Sequence, residues 1–359
     1  MSGLRRLALT TSLAAITALG LGTAHAADGP GPGGTAGKTI ALSNSYDGNS
    51  FRQVMVKDWQ KTSAEAIAHK VIKGATVVSA DGSVTAQAAQ VQNMILQGYN
   101  AIAILAASSS ALNGTVNSAC QAGIKVVSFA GIVTAPCAWV VNYDWASYGK
   151  QEIDYIAKRL HGHGNILEIR GMAGDSTDRD IHDGVIAALK AHPGLKIVGT
   201  VYGQWTQTIA QKEVAGILPS LPQVDAVVTQ GGDGYGAAQA FAASGRKLPI
   251  IIMGNRQDEL QWWQQQHAKT GYETFSIAAT PSISEISFWV AQQILAGKQV
   301  PKHITVPLLR IDQSDLDAYL KTIPPGGVAD PTYGKDLVVK MIDANINHAA
   351  MPPIPPPAN

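Results

Sequence analysis

The chain has 359 residues, of which 46% are hydrophobic and 15% charged, and its formal net charge is +1. That is the balance of a soluble globular protein long enough for two domains. With no basic stripe interleaved with aromatics it argues against nucleic acid as a partner.

Arg5 and Arg6 form a short basic region ahead of the apolar run Leu7–Leu21, and Ala24-His25-Ala26 then supplies the small residues that a signal peptidase reads. A signal peptide over 1–26 is expected, cleaved after Ala26, with export to the periplasm. The run falls short of the ~20 residues that a spanning helix needs. No Cys follows it, so neither a membrane anchor nor a lipid anchor is expected. Loss of Arg5 and Arg6 brings the formal charge from +1 to −1. Residues 27–37 read as a Gly/Pro linker.

Beyond the linker, short β-branched runs alternate with helical stretches. Thr39–Ser43 reads as a strand and Ser50 to His69 as a helix. Ala75–Ser79 is the next strand, and Ser83 caps a helix in which Val84, Ala88, Val91 and Ile95 recur at helical spacing before Gly98. Ala101–Leu105 reads as a strand, Ser110–Ala122 as a helix and Ile124–Phe129 as a strand. After a break near Trp139–Asp144 the rhythm restarts, with strands at Asn165–Ile169, Ile197–Val201, Ala226–Thr229, Ile250–Met253 and Thr274–Ala278. Short, almost purely apolar strands in repeated βα units imply parallel sheets covered on both faces. The two runs imply two α/β lobes. The end of the chain, rich in Pro and Gly around a helix at Lys335–Ile346, reads as a surface tail with 352–359 disordered.

Cys120 and Cys137 are the two cysteines. In an oxidising compartment such a pair forms a short local disulfide, the alternative being two buried thiols.

Ligands of open parallel sheets sit beyond the carboxyl ends of the strands. Those ends carry Asn44 through Arg52, Ala130-Gly131, Arg170 through Arg179, Trp205, the turn Gly231-Gly232-Asp233-Gly234, and Asn255-Arg256. Together with the Gln92–Gln97 stretch before Gly98-Tyr99-Asn100-Ala101-Ile102, Ala119 through Val127, Gly171 through Gly184, and Val224-Asp225, they carry a resemblance. From about Lys38 to Leu309 the chain resembles the periplasmic solute-binding proteins of the ribose/galactose type, which serve ATP-driven sugar importers.

The resemblance implies a two-lobed type I periplasmic-binding-protein fold, each lobe a parallel sheet flanked by helices, joined by a hinge crossed near Asp144, Thr280 and Thr305. It places the first lobe at 38–143 plus 281–305, the second at 144–280 plus 306–325, and a C-terminal tail at 326–359. It puts Asn49, Phe51 and Arg52 on one cleft wall, Asp144 and Trp145 at the hinge, and Arg179, Trp205 and Asn255 on the other wall. Further candidates are Asn44, Gly131, Gln230, Asp233, Arg256 and Thr280. The family's usual Asp-Arg after Ile124–Phe129 is Ala130-Gly131 here, its Asp is Asn255, and its later Gln gives way to a hydroxyl near Thr280. Carboxylates that accept from paired sugar hydroxyls are therefore depleted. Arg52 and Arg179 would suit an anionic sugar, unless Asp178 or Asp144 neutralises them.

The expected function is capture of a sugar, polyol or sugar acid and its delivery to an ABC permease with a separate ATPase, by a monomer needing no cofactor or metal. The alternatives are an exported carbohydrate-active enzyme and a ligand-presenting subunit of a membrane sensor. The Gly232–Gly236 run lacks dinucleotide spacing, and His161-Gly162-His163-Gly164 reads as a solvated turn rather than a metal site. One of Trp262 and Trp263 is expected to face the core.

Overall fold

A computed structural model describes residues 34–356. The expected signal peptide at 1–26, most of the linker and residues 357–359 lie outside them.

The first lobe is built on strands β1 (Thr39–Asn44), β2 (Gly74–Ser79), β3 (Ala101–Leu105), β4 (Lys125–Phe129), β5 (Trp139–Tyr143) and, from far along the chain, β11 (His303–Val306). They form one sheet in the order β11-β5-β4-β3-β1-β2, every pair parallel. All five residues of β3 are buried, as an inner strand covered on both faces requires. Helices α1 (Ser50–Ala68), α2 (Val84–Leu96) and α3 (Asn113–Gln121) alternate with the first strands. Ser83 caps α2 as expected, accepting from Ala86 N. Helix α9 (Ile283–Leu295) is buried on nearly every side and lies inside the lobe, with Phe288 edge-on to Trp59 of α1.

The second lobe carries β6 (Gly164–Arg170), β7 (Leu195–Tyr202), β8 (Ala226–Val228) and β9 (Ile250–Ile251) in the order β7-β6-β8-β9, again parallel. A bridge between Met253 and Ser276 leads on to β10 (Ser276–Ala278), which pairs antiparallel with β12 (Leu309–Ile311). Helices α4 (Trp145–Arg159), α5 (Ser176–Leu189), α6 (Gln207–Ile217), α7 (Gly234–Ser244), α8 (Gln257–Thr270) and α10 (Leu316–Leu320) surround the sheet. Helices α4 and α5 approach so closely that a Cβ on Gly184 would lie 2.3 Å from Ala146 O. Trp263 is fully buried while Trp262 packs only in part, as two adjacent helical positions dictate.

The hinge is fastened by side chains. The Tyr143 hydroxyl, ending β5, donates to Thr280 O (3.0 Å) and accepts from Thr280 N (2.9 Å). Asp330 Oδ1 accepts from Ser282 N (3.0 Å), which ties the C-terminal segment to the same place.

Two expectations need correction. The presumed break at Trp139–Asp144 is strand β5, because a stretch rich in β-branched and aromatic residues, Trp139, Val140, Val141 and Tyr143, pairs with β4 and β11. The tail is not merely superficial. Helix α11 (Lys335–Ile346) buries Val338, Met341 and Ile342 in the first lobe's core, and Ile354, expected to be disordered, packs against the buried cluster that holds Trp263 and Leu316. Cys120 and Cys137 form a disulfide across a Cα–Cα distance of 6.3 Å.

Candidate ligand-binding cleft

The carboxyl ends of both parallel sheets open on one cavity of about 910 Å³, its mouth included. From the first lobe it is lined by Tyr46, Asn49, Ser50, Phe51, Arg52, Leu105, Ala106, Ala130 and Gly131. The hinge and second lobe add Trp145, Asp175, Thr177, Trp205, Gln230, Gly231, Gly232, Asn255, Arg256, Ala278 and Ala279, and the C-terminal segment adds Val328.

Each polar group is held by its element. Asn49 caps α1 through its side-chain oxygen, 2.9 Å from Arg52 N, and its amide nitrogen donates to the Tyr46 hydroxyl (3.0 Å). One Arg52 nitrogen donates to Asn44 Oδ1 (2.7 Å) and Ser45 Oγ (3.0 Å), and the guanidinium lies 4.6 Å from the Tyr46 ring centroid. Burial lowers the Arg52 pKa to about 10, with the Tyr46 and Asp175 charges opposing the shift, so it is charged at neutral pH. Gln230 accepts from Gly171 N (2.9 Å) and donates to Asp178 O (3.0 Å). Asn255 donates to Ala329 O (2.8 Å), and Arg256 donates to Trp205 O (2.7 Å).

The aromatic walls are positioned as firmly. Trp145 Nε1 donates to Asn142 Oδ1 (3.0 Å), and the ring sits 5.1 Å from that of Tyr143. Trp205 has a φ of 53°, a left-handed conformation that bulky residues avoid. Its indole covers Gly171, where a Cβ would come within 2.3 Å of Trp205 Cζ2. Glycine is therefore required at 171 for the ring to lie there.

Of the candidate residues, Asn49, Phe51, Arg52, Trp145, Trp205, Asn255, Gly131, Gln230 and Arg256 meet at this cavity. Five do not line it. Arg179 points to solvent and pairs with Asp180 (2.9 Å). The inward position on α5 belongs to Asp178, which takes a two-bond fork from Arg170 (3.0 and 2.6 Å) and accepts from Gly171 N. Asp178 thus neutralises Arg170, neither Arg52 nor Arg179. Asp144 caps α4 by accepting from Ser147 N (2.9 Å). Thr280 is buried in the hinge against Tyr143 and Ser282. Asn44 lies behind Arg52 and holds it. Asp233 is fully buried behind the glycine turn, and burial raises its pKa well above the carboxylate range.

Tyr46, Asp175, Thr177 and Val328 were missed. Asp175 and Thr177 stand in the strand-end loop already singled out, but only the helix register shows that they, not Arg179, face inward. Val328 reaches the cleft because the tail bridges to Arg256, which no local pattern announces.

Among the described residues no group of three potential metal ligands gathers, and no helix is long and apolar enough to cross a membrane.

Residues 40–299 match the periplasmic binding protein domain family. A xylitol-binding protein of Mycolicibacterium smegmatis is 31% identical over 69% of this chain and 71% of its own length. A ribose import binding protein of Bacillus subtilis is 27% identical over 84% of this chain and 95% of its own. An ABC transporter solute binding protein from Thermobispora bispora, known by crystal structure, superposes with a TM-score of 0.83 at 31% identity, covering 90% of this chain and all of that one. The chain belongs to the periplasmic binding proteins, in the sugar-binding family that serves ABC importers.

Proposed function

We propose that this chain captures a small polyhydroxylated solute, a sugar or a polyol-like compound, between its lobes and delivers it to an ABC permease whose separate ATPase drives import. The observation that carries this reading is a cavity whose lining comes from both lobes and mixes aromatic faces with hydrogen-bonding groups. Phe51, Trp145 and Trp205 suit the C–H faces of a sugar. Asn49, Asp175, Thr177, Gln230 and Asn255 suit its hydroxyls. A solute that touches both lobes favours their closed arrangement, and that arrangement is what a permease would recognise. The names of the ribose- and xylitol-binding relatives agree with this substrate class.

In this reading the protein catalyses nothing. Its cavity is lined by one carboxylate, Asp175, where glycoside hydrolysis generally uses a pair. It works in the periplasm as a monomer beginning at Ala27, free of a membrane anchor.

The test is to purify the exported protein, denature it, and identify the released small molecule by mass spectrometry. A polyhydroxylated compound that rebinds one-to-one supports the proposal. A compound without hydroxyls, or catalytic turnover of the bound one, refutes it.

A further inference from the structure

The described part of the chain holds seven arginines, and their partners sort them sharply. Arg159, Arg170, Arg179 and Arg310 each reach a carboxylate: Glu273, Asp178, Asp180 and Asp312. Arg246 spends its guanidinium on the carbonyls of Leu218, Leu221 and Pro222. The two remaining are Arg52 and Arg256, the two that line the cavity, one from each lobe. Among the described residues neither has a carboxylate oxygen within 4.0 Å.

Their bonds are to neutral acceptors. Arg52 uses one nitrogen, on Asn44 and Ser45, and Arg256 uses one, on Trp205 O. Among the described residues the other guanidinium nitrogens of both have no hydrogen-bond partner. Behind Arg256 stand Asp233 and Glu259, both fully buried; burial raises the pKa of each and the Arg256 charge opposes the shift. Among the described residues neither Asp233 oxygen has a hydrogen-bond partner, and Glu259 Oε1 is occupied by Gly234 N (2.8 Å) and Gly254 N (3.0 Å). Asp175 is the only carboxylate of the lining, and one of its oxygens already caps α5. The lining itself therefore carries two guanidinium groups and one carboxylate. Both arginines are half-buried, and a ligand that supplies a negative charge gives each the carboxylate partner it lacks.

The geometry points to an anionic solute, a sugar acid whose carboxylate is held by Arg52 and Arg256 while its hydroxyls meet Asp175 and the amides. This inference rests on the polyhydroxylated-solute reading and narrows it. A guanidinium offers parallel N–H donors that match the two oxygens of a carboxylate, whereas a hydroxyl uses them singly.

The test uses pairs that share a carbon skeleton and differ in one terminus: D-xylonate against xylitol, and D-gluconate against D-glucitol. Each is titrated calorimetrically into ligand-depleted full-length protein at pH 7.5. The acid of at least one pair is expected to bind about 30-fold more tightly than its alcohol, the increment of a charge-assisted hydrogen bond. In Arg256→Gln that preference, taken as the ratio of the two affinities in the same variant so that any loss common to both cancels, should fall below about 5-fold. The wild-type ratio alone decides the matter should the variant fail to fold. Equal or tighter binding of the alcohols, or no binding by either acid, overturns the inference. Tight binding of an alcohol with none of its acid overturns it while leaving the solute-capture reading intact. A released native ligand bearing no hydroxyls overturns both.

Discussion

Glu285 offers a quantitative handle on the body that supports the cleft. It lies on α9, is 2% exposed, and bridges three segments: Oε1 accepts from Thr62 Oγ1 of α1 (2.9 Å) and Oε2 from Tyr333 N of the C-terminal segment (2.6 Å). Burial, outweighing both hydrogen bonds, pushes its pKa from 4.5 up to about 7. The unfolded chain releases this proton near pH 4.5 and the folded chain keeps it until about pH 7. The protonated group's contribution is therefore complete below pH 4.5 and is lost as pH rises through 7. At 1.36 kcal/mol per unit the loss amounts to about 3 kcal/mol. Glu285→Gln keeps the group neutral at every pH and retains an acceptor for Tyr333 N. Asp58 and Asp330, also raised by burial, titrate in both proteins, and because the Asp58 charge helps to raise Glu285 the difference reports position 285 together with its coupling to Asp58. Urea denaturation from pH 4.5 to pH 8 should show the wild type losing about 3 kcal/mol more than the variant, most of it between pH 5 and 7. Parallel stability curves would refute the reasoning.

Gly171→Ala should push the Trp205 indole off its seat, since the new Cβ meets Cζ2 at 2.3 Å and Cε2 at 2.5 Å. Solute affinity measured by calorimetry should drop by at least about 10-fold, and an unchanged value would show that Trp205 is not a contact. Arg179→Ala should leave affinity within about 2-fold of wild type, because that side chain serves an exposed pair with Asp180. A large loss there would restore Arg179 to the site. Replacing Cys120 and Cys137 together by Ala opens a cross-link spanning 17 residues and should lower stability by about 3 kcal/mol without altering affinity. Equal denaturation midpoints for the variant and the oxidised wild type would contradict this.

Four strands of the first sheet and all four of the second could be read from the sequence because parallel strands buried on both faces leave short apolar β-branched runs, as in Ala101–Leu105, whereas β5 and β11 were not read. Strand-end chemistry was equally legible: Asn49, Phe51 and Arg52 follow β1, and Trp205 and Asn255 follow their strands. What local pattern could not supply was rotation about a helix. In α5 the loop Asp175–Arg179 was recognised, yet adjacent positions point about 100° apart, and bidentate pairing with Arg170 decides that Asp178 turns inward. Asp144 shows the same ambiguity, since an Asp before a helix serves as a cap as readily as a ligand contact. Arg256 could not be ranked above Arg179 without knowing which of them lacks a carboxylate partner. Val328 enters through a return of the chain from 327–330 to Asn255 and Arg256, a long-range pairing invisible to periodicity.

The central claim is that one solute is gripped by both lobes at once. The most direct measurement is the affinity of the solute released from the native protein for wild type, for Phe51→Ala on the first lobe and for Trp205→Ala on the second. The account predicts that each variant, still folded by circular dichroism, loses at least about 30-fold in affinity. Binding that survives either substitution unchanged would mean that the solute sits on one lobe alone, or elsewhere.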